Sequence, residues 1–88
     1  MKVEIYSKDA CPYCDAAIFE AKARNADLTV MKLGQDFERE QLLEQFPNAR
    51  TFPQIILNGN KIGGYKEFME VLKQLEVDED SVAKKSTN

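Results

Sequence analysis

The 88-residue sequence predicts an α/β fold, a four-stranded mixed sheet with three helices in the order β-α-β-α-β-β-α. Three observations lead there. Apolar residues switch along the chain between strand-like alternation and the i, i+3/i+4 spacing of helices. A helix-length segment joins the first two strand-like runs, which requires them to pair in parallel. The last two runs are joined by Asn58-Gly59, a two-residue turn signal that makes them antiparallel.

The elements follow in order. Residues 2–6 alternate polar and apolar, and Val3, Ile5 and Tyr6 favour strands. Ser7 to Ala10 form a loop into Cys11-Pro12, where proline suits the first helical position because its missing N–H would be an orphan there anyway. The alanine-rich stretch from Pro12 to about Asn25 puts Cys14, Ala17, Ile18 and Ala21 on one helical face, and Asn25-Ala26-Asp27 stops it. Leu28 to Leu33 is the second strand. Gly34-Gln35-Asp36 is a turn, with Asp36 expected to cap a helix through Phe46 whose Leu42, Leu43 and Phe46 share a face. Pro47-Asn48 ends that helix. Gln54 to Leu57 is a short apolar strand, Asn60 to Ile62 its return, and Gly63-Gly64 a break before a helix carrying Phe68, Val71, Leu72 and Leu75. Residues 1–77 are expected to form one domain. Residues 78–88, polar and aperiodic, are expected to be a disordered tail.

Composition narrows the function classes. At 43% hydrophobic and 31% charged, the chain can bury one small core. A formal net charge of −3 argues against a nucleic-acid-binding surface. The start, Met1-Lys2-Val3-Glu4-Ile5-Tyr6, lacks the apolar run of a secretory signal, and no stretch approaches the ~20 apolar residues that cross a bilayer. The expected location is the cytoplasm, or the host's cytoplasm for a viral protein.

The chemistry centres on two cysteines, Cys11 and Cys14, in a chain without histidine. The pair follows a strand and opens a helix. Unpaired N–H groups and the helix dipole favour a thiolate there over a thiol, and the thiolate is the nucleophile. Cys11, at the helix start, is the expected attacker. Cys14, almost one turn on and less exposed, is the expected resolving thiol. A zinc site would need a second pair of Cys or His ligands, which the chain lacks, so no metal is expected. Two further segments stand out. Pro53 opens an apolar strand after Thr51-Phe52; a trans bond is the default, and a cis bond would turn Phe52's backbone outward toward an extended peptide. Gly63-Gly64 would let a ligand approach the backbone at a helix start.

Cys11-Pro12-Tyr13-Cys14, Thr51-Phe52-Pro53-Gln54 and Ile62-Gly63-Gly64-Tyr65, with Ile5-Tyr6-Ser7-Lys8 ahead of them, resemble the small dithiol glutaredoxins of bacteria and their phages. The resemblance spans residues 2–75. It implies a thioredoxin-like fold and glutathione as co-substrate, with protein disulfides and glutathionylated proteins as partners, ribonucleotide reductase among them, and a monomeric state. By motif position it implies that Lys8 stabilises the thiolate and binds glutathione's glycyl carboxylate. Tyr13 would flank the ligand, Thr51, Phe52 and Pro53 would pair with its cysteine, and Gly64, Tyr65 and Lys66 would hold its γ-glutamyl end. Many relatives carry an acidic residue where this chain has Lys66, and Glu67 is the candidate replacement. Either Arg39 or Arg50 would supply a second cation. The competing reading is a module in which two chains hold an iron–sulfur cluster through Cys11 and glutathione; Pro12 counts against it. Reduction by thioredoxin reductase in place of glutathione is a third.

Overall fold

The computed structural model describes residues 1–87, with side chains described through Glu76. Its elements are β1 (Lys2–Ser7), α1 (Pro12–Ala23), β2 (Asp27–Lys32), α2 (Arg39–Gln45), β3 (Gln54–Leu57), β4 (Asn60–Gly63) and α3 (Tyr65–Thr87). The sheet runs β2-β1-β3-β4. β1 and β2 are parallel, with Val3 beside Leu28 and Ile5 beside Val30. The β1–β3 and β3–β4 pairs are antiparallel. The mixed sheet and the order of elements expected from sequence are both present. The side chains of the expected tail, 78–88, lie outside the described residues.

The two sheet faces are packed differently because the pleat sends alternate residues to opposite sides. Val3, Ile5, Ile55 and Leu57 pack against Ala17 and Ala21 of α1 and Phe68 and Leu72 of α3. On the other face, Tyr6 and Ile56 pack against Phe37 and against Leu42 of α2. The small residues of α1 let that helix lie close to the sheet, and Phe68 fills the space beside it. Arg24, just past the end of α1, ties that helix to α3, pairing with Glu20 at 2.7 Å and with Glu76 at 2.6 Å. The hydrogen bond that its guanidinium donates to the Glu20 carboxylate is the largest cause of its raised pKa.

Local turns follow their residues. In the β3–β4 hairpin both Asn58 (φ 50°) and Gly59 (φ 85°) are left-handed, as a two-residue hairpin turn requires. The Asn58 side chain also accepts the Lys2 N–H at 2.8 Å, tying the hairpin to the start of β1.

Three expectations need correcting. Asp36 does not cap α2: its carboxylate accepts the Lys32 N–H at 2.9 Å inside the preceding turn. The cap is Glu38, whose backbone N–H donates to Gln41 Oε1 at 2.7 Å, so α2 begins at Arg39. The intervening Phe37 is buried under the sheet, which pulls the chain inward before the helix can start. Leu43 lies off the packed face of α2 and is exposed, about 100° around the helix from buried Leu42. Leu75 is likewise exposed at the outer end of α3's described face.

Candidate active site

The site forms where β1 ends and α1 begins. Cys11 is the N-cap of α1, with Pro12 at the first helical position. Its backbone is extended (φ −123°, ψ 96°), and its Sγ accepts the Cys14 N–H at 3.2 Å. The sulfur therefore fills the place that a serine or aspartate oxygen takes in an ordinary N-cap. The Cys11 carbonyl accepts the Asp15 N–H at 3.1 Å, closing the first helical turn. Cys11 and Cys14 are disulfide-bonded, with Cα atoms 5.2 Å apart. Cys11 retains slightly more exposure than Cys14, which faces the core from α1. Both residues are buried, Cys11 at 7% and Cys14 at 1% exposure.

The loop before the pair is held at its edge. Ala10 has a positive φ of 53°. Asp9 pairs with Lys32 at the end of β2. The hydrogen bond with Asp9 is the main cause of a raised Lys32 pKa. Ser7, the last residue of β1, donates from its hydroxyl to the Met31 carbonyl at 3.1 Å. These contacts fix where the chain leaves the sheet just ahead of Cys11.

Beside the cysteines lies a groove of about 900 Å³, within the size range of small-molecule sites. Tyr13 forms one wall, and Thr51, Phe52 and Pro53 form the next. The Phe52–Pro53 bond is cis. The Phe52 carbonyl oxygen lies 3.8 Å from Cys11 Sγ, which links the groove to the reacting sulfur. Gly64, Tyr65 and Lys66 complete the near end at the start of α3, together with Gly63, whose φ of 104° favours glycine. Tyr13 and Tyr65 meet at 5.6 Å between ring centroids. Glu67 also lines the groove, its side chain turned back toward Gly63 and Gly64. Seven of the eight residues named for glutathione from the sequence line this one depression.

Lys8 is the eighth, and it stands apart from that lining among the described residues. It is exposed, and its ammonium lies 5.8 Å from the Phe52 ring centroid. Of the two arginines left open by the sequence, Arg50 lines the groove, and Arg39 at the start of α2 does not.

The rest of the lining was not named from the sequence. Gln45 at the end of α2, residues 46–49 after it and Lys61 of β4 form the far half of the groove. Lys61 could have been found from the hairpin register, which pairs it with Ile56 on the α2 side of the sheet. Gln54 is another omission. It is buried, and its side-chain amide donates to the Thr51 carbonyl at 2.9 Å, bracing the segment that carries Pro53.

An aromatic run supports the groove from below. Tyr6 meets Phe37 edge-on at 5.0 Å and Phe46 at 6.0 Å. Phe37 meets Phe52 at 6.2 Å. Each end carries a lysine, Lys8 over Phe52 and Lys61 over Phe46, both at 5.8 Å. Cation–π contacts of this exposed kind contribute about 0.5–1 kcal/mol each. The Tyr6 hydroxyl accepts a hydrogen bond from the Gln45 amide, so the buried phenol is satisfied. Among the described residues no cluster of His, Cys, Asp or Glu could hold a metal ion.

Comparison with known proteins places this arrangement. The glutaredoxin family model matches residues 3–62. Glutaredoxin-1 of Saccharomyces cerevisiae is 33% identical over 87 residues, covering 89% of this chain and 77% of the yeast protein. The dithiolic glutaredoxin of Trypanosoma brucei brucei superposes with a TM-score of 0.72 at 36% identity, over 88% of this chain and 82% of that one. A buckwheat glutaredoxin–glutathione complex superposes with a TM-score of 0.70 at 26% identity, covering 82% of this chain and 68% of that one.

Proposed function

The chain belongs to the glutaredoxin family of thiol–disulfide oxidoreductases, and on that premise we propose that it is a glutathione-dependent reductase of protein disulfides and glutathione mixed disulfides. The observation that carries this reading is the Cys11 sulfur at the N-terminus of α1. It accepts the Cys14 N–H and lies 3.8 Å from the carbonyl oxygen of Phe52, which lines the adjoining groove.

In the reduced protein the Cys11 thiolate attacks a substrate disulfide. One Cys11–substrate disulfide forms, and the other substrate sulfur leaves as a thiolate that takes up a proton. With a glutathionylated protein, Cys11 takes the glutathionyl group and the protein thiol departs. A second glutathione thiolate then attacks the glutathionyl sulfur, giving oxidised glutathione and restoring Cys11. With a protein disulfide, Cys14 loses its proton and attacks Cys11 Sγ, releasing the remaining substrate thiol and forming the Cys11–Cys14 bond. Two glutathiones reduce that bond. The helix start favours the Cys11 thiolate both as attacker and as leaving group.

Glutathione fits the groove by chemistry. The carbonyl and N–H of Phe52 suit its cysteine backbone, and Lys66, Arg50 and the N–H groups at the start of α3 suit its two carboxylates. Glu67 is the group available to its amino end. Supply of electrons to ribonucleotide reductase, as a cytoplasmic monomer, belongs to the same proposal.

The deciding experiment is a glutathione-coupled assay on a mixed disulfide with wild type, Cys11→Ser and Cys14→Ser. Cys14→Ser is expected to keep deglutathionylation and lose most reduction of protein disulfides. Reversed behaviour of the two mutants would overturn the role assignment, and reduction by thioredoxin reductase alone would overturn glutathione as the donor. A visible absorbance band in anaerobically purified protein would favour the iron–sulfur reading.

A further inference from the structure

We propose that the far half of the groove docks the polypeptide carrying the substrate disulfide, and that Lys61 there selects acidic residues flanking the reacting cysteine. The inference rests on the thiol–disulfide chemistry proposed above but not on glutathione as the reductant.

The charge distribution is the first support. The chain carries 15 acidic and 12 basic side chains, so its surface is on average negative. The groove reverses that balance, with Arg50, Lys61 and Lys66 against the single carboxylate of Glu67. Glu67 is turned toward Gly63 and Gly64 at the near end, which leaves the far half with positive charge only. The ion pairs among the described residues use Arg24 and Lys32, and none uses Arg50 or Lys61. Lys61 is held against the Phe46 ring, an arrangement that aims a cation without neutralising it.

Reach is the second support. Gly63 pairs with Ile55 and Lys61 with Ile56, so Lys61 lies two residues along β4 from the end nearest the cysteines. That step is about 7 Å at strand rise. A substrate backbone leaving Cys11 past Phe52 brings the side chain two to four residues from its reacting cysteine over the far half. Phe46 and Ala49 give that segment an apolar floor, and Lys61 gives it a preferred charge.

The test uses the full chain, reduced beforehand and freed of reductant, reacting in a single turnover with short peptides that contain one intramolecular disulfide. One peptide carries aspartates two to four residues from a cysteine, a second lysines there, and a third serines. The expected result is about fivefold faster reduction of the aspartate peptide than of the lysine peptide at low salt, the size that one or two exposed ion pairs provide. The advantage should vanish at high salt and fall to parity or below in Lys61→Glu. Lys61→Met, which keeps the stem and loses the charge, should give an intermediate ratio. Because the readout is a ratio on one enzyme, a general loss of activity or folding does not imitate it. Equal rates, a faster serine or lysine peptide, or an aspartate preference unchanged in Lys61→Glu would each overturn the proposal. No reduction of any peptide would overturn the thiol–disulfide reading beneath it. Failure confined to the glutathione-coupled assay would overturn only the choice of reductant.

Discussion

The two faces of the sheet do different work. Toward α1 and α3, Val3, Ile5, Ile55 and Phe68 are fully buried, and aliphatic side chains dominate. Toward α2 the cover is thinner and aromatic: Tyr6, Phe37 and Ile56 each keep 7–8% exposure, and Phe46 and Phe52 are only half-buried. The first face is sealed and anchors the helix that carries the cysteines, through Cys14 and Ala17. The second is open, and its aromatic edge becomes the floor of the groove. Stability is concentrated on one side and recognition on the other, with Cys11 at the seam between them.

Substitutions can break that division. The largest effect should belong to the seam. Cys11→Ser is expected to bring reduction of every disulfide substrate down to the uncatalysed rate while leaving the urea midpoint of the reduced protein nearly unchanged, since a serine hydroxyl is of similar size and takes over the N-cap bond to the Cys14 N–H. A variant that retained measurable turnover would place the nucleophile elsewhere. Next comes the sealed face. Phe68→Ala should cost about 3–5 kcal/mol in urea unfolding, a large share of the roughly 5–15 kcal/mol of a small domain. On the open face, Phe37→Ala should cost less, about 2 kcal/mol, because solvent and neighbouring rings can partly fill the gap. It should also raise KM for a glutathione mixed disulfide, through the Phe37–Phe52 contact at 6.2 Å. Equal stability losses at Phe37 and Phe68, with no change in KM, would erase the distinction between the faces.

The same division decided what could be read from the sequence. The sealed face was legible because its strands are short runs of Val, Ile and Leu and its helices keep regular apolar spacing. The Asn58-Gly59 turn set the first two pairs of the hairpin, Leu57 with Asn60 and Ile56 with Lys61, but not the irregularity that then pairs Ile55 with Gly63. The cysteines, the Thr51-Phe52-Pro53 segment and Gly63-Gly64 were found because each has a local reason to be where it is. The open face was harder. Asp36 was a plausible cap by residue type, but its carboxylate serves the Lys32 N–H, and local sequence does not rank those two uses. Leu43 counted as apolar although helix geometry turns it away from the sheet. Lys61, Gln45 and Phe46 meet across the sheet from distant parts of the chain. Their convergence depends on register and on where α2 lies, so no local motif announces it.

Two smaller effects sharpen the account of the seam itself. Lys8→Ala removes a cation three residues before Cys11 in the chain and is expected to slow alkylation of reduced Cys11 at pH 6–7 about two- to threefold at low salt. No change would leave Lys8 as a lysine that only covers the Phe52 ring.

The Asp9–Lys32 pair should matter less, and in a manner that its titration defines. Asp9 lies two residues before Cys11, and its carboxylate opposes a thiolate unless a cation balances it. Lys32 supplies that cation, and their hydrogen bond raises the Lys32 pKa above its model-compound value of 10.5. A raised lysine pKa stabilises the folded state fully below the unfolded value and loses that contribution as pH climbs through the folded one. The pair is therefore intact across the neutral range, and pH changes there should not disturb it. Lys32→Ala should leave the urea midpoint where it is, because both groups are largely solvated. It should slow alkylation of reduced Cys11 at pH 6–7 by a factor smaller than that of Lys8→Ala, and added salt should narrow the difference from wild type. An effect larger than that of Lys8→Ala would mean that the β2 end of the sheet, rather than the groove side, supplies the main charge acting on the nucleophile.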